Sequence, residues 1–182
     1  PRTDMGNGHF YGHDGVGAQI AEDIMKRMKF SKTEINRVIL LIKNHMFYYP
    51  IIEENMTDEE KKNIEEHKWS DSAVRRFIQR VGEENIEDLF KLRMADAQSN
   101  PSSAFRPEEI TLLQRRISEI RQQDMALKIT DLRINGNDLE NIGVSKGPQM
   151  GNILNQLLDM VMDDPKLNSK EVLLEKAKEL IN

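Results

Sequence analysis

Apolar residues recur at helical spacing along almost the whole chain. Residues 14–29 place Ile20, Ile24, Met25 and Met28 on one stripe, the pattern of an amphipathic helix with one face turned inward. Ser31 and Glu34 then stand at the spacing of a capping box, in which each side chain satisfies an N–H left over at a helix start. A second helix is expected from there to about His45. The connection between the two is short, and short connections return helices as antiparallel neighbours. After the loop MFYYPIIEEN, Thr57 and Glu60 repeat the capping spacing and open a short polar helix that ends near His67, a solvent-facing residue on this reading. Ser70 caps a helix over 71–81, where Val74, Phe77, Ile78 and Val81 share a face before Gly82.

The same period continues through 84–98 with Ile86, Leu89, Phe90 and Leu92, until the segment from Pro101 to Pro107 breaks it. Residues 107–126 carry the longest uninterrupted pattern, with Ile110, Leu113, Ile117 and Ile120 and no internal Pro or Gly. A closing helix runs from Ser169 to Ile181, capped by Asn168 or Ser169, with Val172, Leu173, Ala177, Leu180 and Ile181 facing inward. No stretch alternates convincingly as a strand, although 126–130 could be extended. The fold class is all-α. A soft boundary around 127–130 divides it into a helical region with a long connecting helix, 1–126, and a helical C-terminal region, 127–182.

That second region opens on a glycine-punctuated stretch, ITDLRINGNDLENIGVSKGPQMGNILNQLL (129–158), which reads as a helical hairpin. Gly143 and Gly147 stand where the chain must reverse, and glycine tolerates the left-handed backbone such a reversal needs. Pro148 suits the first position of a helix whose Leu154, Leu157, Leu158 and Val161 lie on one face. The start of that helix offers unpaired N–H groups and partial positive charge, and Lys146 adds a full charge beside it. A phosphate site and a plain structural turn both account for these residues.

Composition narrows the classes. The 182 residues include no cysteine, which excludes a disulfide framework and a thiolate metal site and fits a reducing compartment. No apolar run reaches the length of a membrane span, and PRTDMGNGHF has no signal-peptide pattern, so a soluble cytoplasmic protein is expected. The net charge of −5 argues against coating nucleic acid by bulk electrostatics. Acidity is concentrated in 51–100, with 13 acidic and 8 basic residues, while 101–150 carries 7 of each. Arg115, Arg116 and Arg121, and the basic run around Lys26, Arg27 and Lys29, are candidate phosphate-facing surfaces or solvated helix faces.

Three of the four histidines, His9, His13 and His45, fall in the first 45 residues. His13 and Asp14 start the first helix and His45 ends the second, so antiparallel packing brings those ends together. Asp96, in RMAD, is a further candidate ligand. Imidazoles and carboxylates on converging helices suit a divalent ion, Mg²⁺ or a transition metal, that polarises a phosphate or activates water. Helix capping and helix-dipole effects account for the same residues without a metal.

At these residues a family resemblance becomes specific. HFYGHDGVGA (9–18), MKFSKTEINRVILLIKNHM (28–46) and LFKLRMADAQ (89–98), in this order, resemble the HD-type region of bacterial tRNA nucleotidyltransferases, the CCA-adding enzymes, and of related poly(A) polymerases. KITDLRINGNDLENIGVSKGPQMGNILNQLLDMV with PKLNSKEVLLEKA resembles the RNA-binding tail of the same enzymes. The resemblance implies an HD-like helical region followed by a helical RNA-binding tail. In that family a nucleotidyltransferase head, which uses ATP and CTP, precedes the HD region, and its motifs are not among these residues. Nor is the first His-Asp dyad of an HD protein, so the resemblance implies only a partial metal site at His13, Asp14, His45 and Asp96, no catalytic residue for polymerisation and no cofactor of the fragment's own.

The expectation is therefore the C-terminal part of a CCA-adding enzyme, with the tRNA acceptor arm as partner. Lys146, Gly143, Gly147, Arg115, Arg116 and Arg121 would grip phosphates rather than read bases. An HD-type phosphohydrolase acting on a nucleotide or cyclic phosphate, and a helical interaction domain, are the alternatives. Enzyme activity of the chain alone, CCA against partial CCA or poly(A) addition, and oligomeric state stay open at this level.

Overall fold

The computed structural model describes residues 12–99, 105–122 and 128–181. His9 and the break from Pro101 to Ala104 lie outside the described residues, as does 123–127, where the boundary expected at 127–130 begins. The described residues are helical, with no strand among them, so the chain is all-α. By contact the described residues form two compact units, one up to residue 64 together with those between 81 and 111, the other between 65 and 80 together with those from 112 onward.

The first unit is built on α1 (His13–Arg27) and α2 (Lys32–Asn44), which pack along one another. The capping box at Ser31 is present. Ser31 Oγ accepts from the Glu34 N–H at 3.3 Å and a Glu34 carboxylate oxygen accepts from the Ser31 N–H at 2.8 Å. The Ser31 hydroxyl, and then its N–H, hold the Glu34 carboxyl below the usual carboxylate range. Of the stripe expected to face inward, Met25 is half-buried and the other three residues are exposed. Ile20 is 53% exposed and Met28 64%, while α1 turns Gly17, Ala18 and Ala21 inward. Small residues let two helix backbones approach closely, and a Cβ on Gly17 would make ordinary contact with Ile42 Cγ2 at 3.6 Å. Ile20, Ile24 and Met28 lie on the exposed side.

The loop after α2 is anchored by Phe47, whose ring lies 5.7 Å from that of Phe90, and by Tyr49. Phe90 belongs to α5 (Ile86–Ser99), which buries Ile86, Leu89 and Arg93 and follows a 3₁₀ turn over Glu83–Asn85. Tyr49 donates its N–H to Glu109, a buried carboxylate at the start of α6 (Pro107–Arg121). The other Glu109 oxygen accepts from the Arg106 N–H at 3.2 Å. Thr57 and Glu60 make the second predicted capping box at the start of α3 (Asp58–Glu66).

In the second unit, Ser70 Oγ accepts from the Ala73 N–H at 3.2 Å and caps α4 (Asp71–Val81), which buries Val74, Phe77 and Ile78. The remaining core is formed by α7 (Gly136–Asn141), α8 (Pro148–Asp163) and α9 (Lys170–Ile181). Leu154, Leu157, Leu158 and Val161 of α8 are buried there with Leu139, Val144, Leu173 and Ala177, on the face their spacing predicts. Arg75 donates to the Met162 carbonyl at 2.9 Å and Arg76 grips both Asp163 oxygens at 2.8 Å, so α4 secures the end of α8. Ser169, not Asn168, caps α9. Asn168 instead accepts from the Arg133 N–H and donates to the Asp131 carbonyl. Of residues 126–130, which could be extended, Ile129 and Thr130 lie instead in a 3₁₀ turn over Ile129–Asp131.

Candidate functional site

Antiparallel pairing of α1 and α2 puts the start of one beside the end of the other, which is where the two candidate histidines lie. His13 Nε2 and His45 Nε2 are 3.1 Å apart, with ring centroids 5.1 Å apart. Asp96, in the penultimate turn of α5, turns Oδ1 toward both, at 4.0 Å from His13 Nε2 and 3.7 Å from His45 Nε2. His45 is buried and donates its Nδ1–H to the Ile42 carbonyl at 2.6 Å, which fixes the tautomer and leaves the Nε2 lone pair facing the other two groups.

The donor set fits a divalent ion. Two ligand atoms each about 2.1 Å from one ion stand about 3.0–3.4 Å apart at angles of roughly 90–110°. The imidazole pair already meets that separation, and Asp96 has to close by roughly half an ångström. Two imidazoles and one carboxylate suit Zn²⁺, Mn²⁺ or Fe²⁺ better than Mg²⁺, which prefers oxygen. Asp14 is not one of the converging groups, and lies in the first turn of α1.

Arg93 escaped the sequence reading. Its Nη1 lies 3.4 Å from Asp96 Oδ2 and its guanidinium stands over the Phe105 ring at 4.6 Å. The three-residue spacing of Arg93 and Asp96 on one helix was the only signal available, because Phe105 reaches the arginine from a different segment.

The second candidate region is the turn between α7 and α8. Gly143 has φ 97° and Gly147 φ 141°, and a Cβ at either would meet nothing within 4 Å, so backbone conformation rather than close packing calls for glycine. The Gly143 N–H bonds to the Glu140 carbonyl at 2.9 Å and the Val144 N–H to the Leu139 carbonyl at 3.0 Å, with Val144 and Leu139 both in the core. This is a Schellman ending of α7. Gly147 gives α8 no side-chain cap, and its first turn holds no acidic residue. The Lys146 side chain is 76% exposed and pairs with Glu140 at 3.3 Å.

The arginines of α6 do not form one surface. At 100° per residue, Arg115, Arg116 and Arg121 spread around the helix. Arg115 lies 3.7 Å from Glu119, and Arg116 bridges Glu119 and Asp71, tying α6 to α4. Its pairing with Glu119 first, then with Asp71, raises the Arg116 pKa.

Among the described residues no helix is long and apolar enough to cross a membrane. The A-adding tRNA nucleotidyltransferase of Deinococcus radiodurans is 27% identical over 169 residues, which make up 87% of this chain and 34% of that protein. The chain thus spans about one third of the length of this curated relative. No solved structure matches it. Residues 14–177 match the family described as tRNA nucleotidyltransferase domain 2, and the chain belongs to that family.

Proposed function

We propose that this chain is the helical body and tail of an A-adding tRNA nucleotidyltransferase, holding the acceptor arm of tRNA while a separate head adds the terminal nucleotide. The family match over 14–177, joined to the resemblance to an A-adding enzyme, carries this reading. The turn from Gly143 to Gly147 supports it. Lys146 stands beside a helix start that is free of side-chain caps and of acidic neighbours in its first turn, a favourable setting for a backbone phosphate. Contact of this kind positions an RNA without reading its sequence. Nuclease footprinting of tRNA bound to the chain should show protection of the acceptor arm, and Lys146→Glu should weaken binding roughly tenfold without changing helicity. Protection confined to the anticodon arm, or unchanged affinity of the variant, would remove this site from the proposal.

The His13–His45–Asp96 geometry favours a second activity, hydrolysis of a nucleotide or cyclic phosphate ester in the same chain. A bound divalent ion would supply Lewis-acid polarisation of the phosphate there. His13 and His45 would hold it through their Nε2 atoms and Asp96 through Oδ1. Mn²⁺-stimulated hydrolysis of bis(p-nitrophenyl) phosphate that disappears in His45→Ala is the expected result. Equal rates for the two proteins would eliminate this activity.

A further inference from the structure

Arg93 is a buried cation with little to explain it as a core residue. It is 8% exposed, its Nε has no hydrogen-bond partner among the described residues, and Nη1 reaches Asp96 Oδ2 and the Met46 sulfur, both at 3.4 Å. Burying a guanidinium costs several kcal/mol unless it is well paired, so a core position filled this way loses stability relative to an apolar side chain. What the arrangement achieves is local. The two oxygens of one carboxylate face different partners, Oδ2 toward Arg93 and Oδ1 toward the Nε2 atoms of His13 and His45.

We propose that Arg93 is a positioning residue for metal binding: by holding Asp96 Oδ2 it fixes the carboxylate with Oδ1 presented to an ion shared with His13 and His45. The proposal rests on the reading of those three residues as a metal site. Arg93 is itself immobilised from two directions. It stands one turn before Asp96 on α5, and the Phe105 ring, from the segment before α6, lies against the guanidinium face at 4.6 Å. Met46 follows directly on His45, so the segment that carries the buried imidazole also touches the arginine. Arg93 thereby ties together the elements that supply two of the three ligand atoms. A carboxylate without this contact is free to rotate, and a metal site whose carboxylate orientation is lost typically weakens about 10–100-fold.

Co²⁺ titration of the purified chain, followed by its visible absorption, tests this. Wild-type protein should bind one ion, and His45→Ala should abolish binding. Arg93→Met, which keeps an apolar stem against Phe105, should bind about 10–100-fold more weakly and shift the Co²⁺ spectrum toward that of Asp96→Asn. Arg93→Lys retains the charge without the planar fork and should fall between the two. A purely packing role would change unfolding but leave affinity and spectrum alone. Wild-type or tighter affinity in Arg93→Met, with His45→Ala inactive in binding, overturns the role of Arg93 and leaves the site standing. If Arg93→Met does not fold, Arg93→Lys decides by the same titration, and wild-type affinity there overturns the proposal. Co²⁺ binding by His45→Ala equal to wild type overturns the metal site and the proposal with it.

Discussion

Lys29 adopts φ 61° at the end of α1, a left-handed conformation that a side chain disfavours. The surrounding bonds explain why it is held there. Its N–H reaches the Lys26 carbonyl at 3.0 Å and the Phe30 N–H reaches the Met25 carbonyl at 3.1 Å, the same Schellman pattern that ends α7. At α7 the corresponding position is Gly143, which takes that conformation without strain. Lys29→Gly should therefore raise stability by about 1 kcal/mol, read as a higher urea midpoint with an unchanged slope. A lower midpoint would mean that the lysine side chain, rather than the backbone alone, contributes to the turn. The pattern over 14–29 and the Ser31 cap place the first helix end, but no residue type at position 29 announces the left-handed turn, whereas Gly143 does.

Helix starts were the most legible elements because their signals are local. Ser31, Thr57 and Ser70 cap the helices their spacing predicts, and the apolar face of α8 is buried as its period requires. What sequence could not supply was which of two competing faces is used. On α1 the large side chains of Ile20, Ile24 and Met28 outweigh Gly17, Ala18 and Ala21 in any hydrophobic count, yet close helix packing selects the small residues. Long-range pairing was equally hidden. Arg116 looked like a free phosphate contact until Asp71, 45 residues earlier, met it in the second unit. The metal candidates lie between these extremes. His13 and His45 could be brought together from helix ends and a short connection, but Arg93 gained its meaning from Phe105, which no periodicity places beside it.

For the molecule as a whole, charge sets how any RNA must be held. The net charge is −5, and several cations of the second unit already have carboxylate partners: Lys146 with Glu140, Lys170 with Asp138, Arg76 with Asp163, and Arg116 with Asp71 and Glu119. A phosphate reaching Lys146 must compete with Glu140, so each contact yields less than a lone cation would. Broad electrostatic adhesion is therefore disfavoured, and a few directed contacts must supply the affinity. Arg116 is engaged in joining α4 and α6, and Lys146, Arg115 and Arg121 are the expected phosphate contacts, of which Lys146 must give up Glu140 and Arg115 must give up Glu119. Three such contacts predict that the logarithm of the tRNA association constant falls with that of salt concentration at a slope of about −2 to −3. Lys146→Glu should flatten this slope by about one. A slope near zero would show that phosphates are not what the chain holds. One steeper than about −5 would show that cations beyond these three engage the RNA.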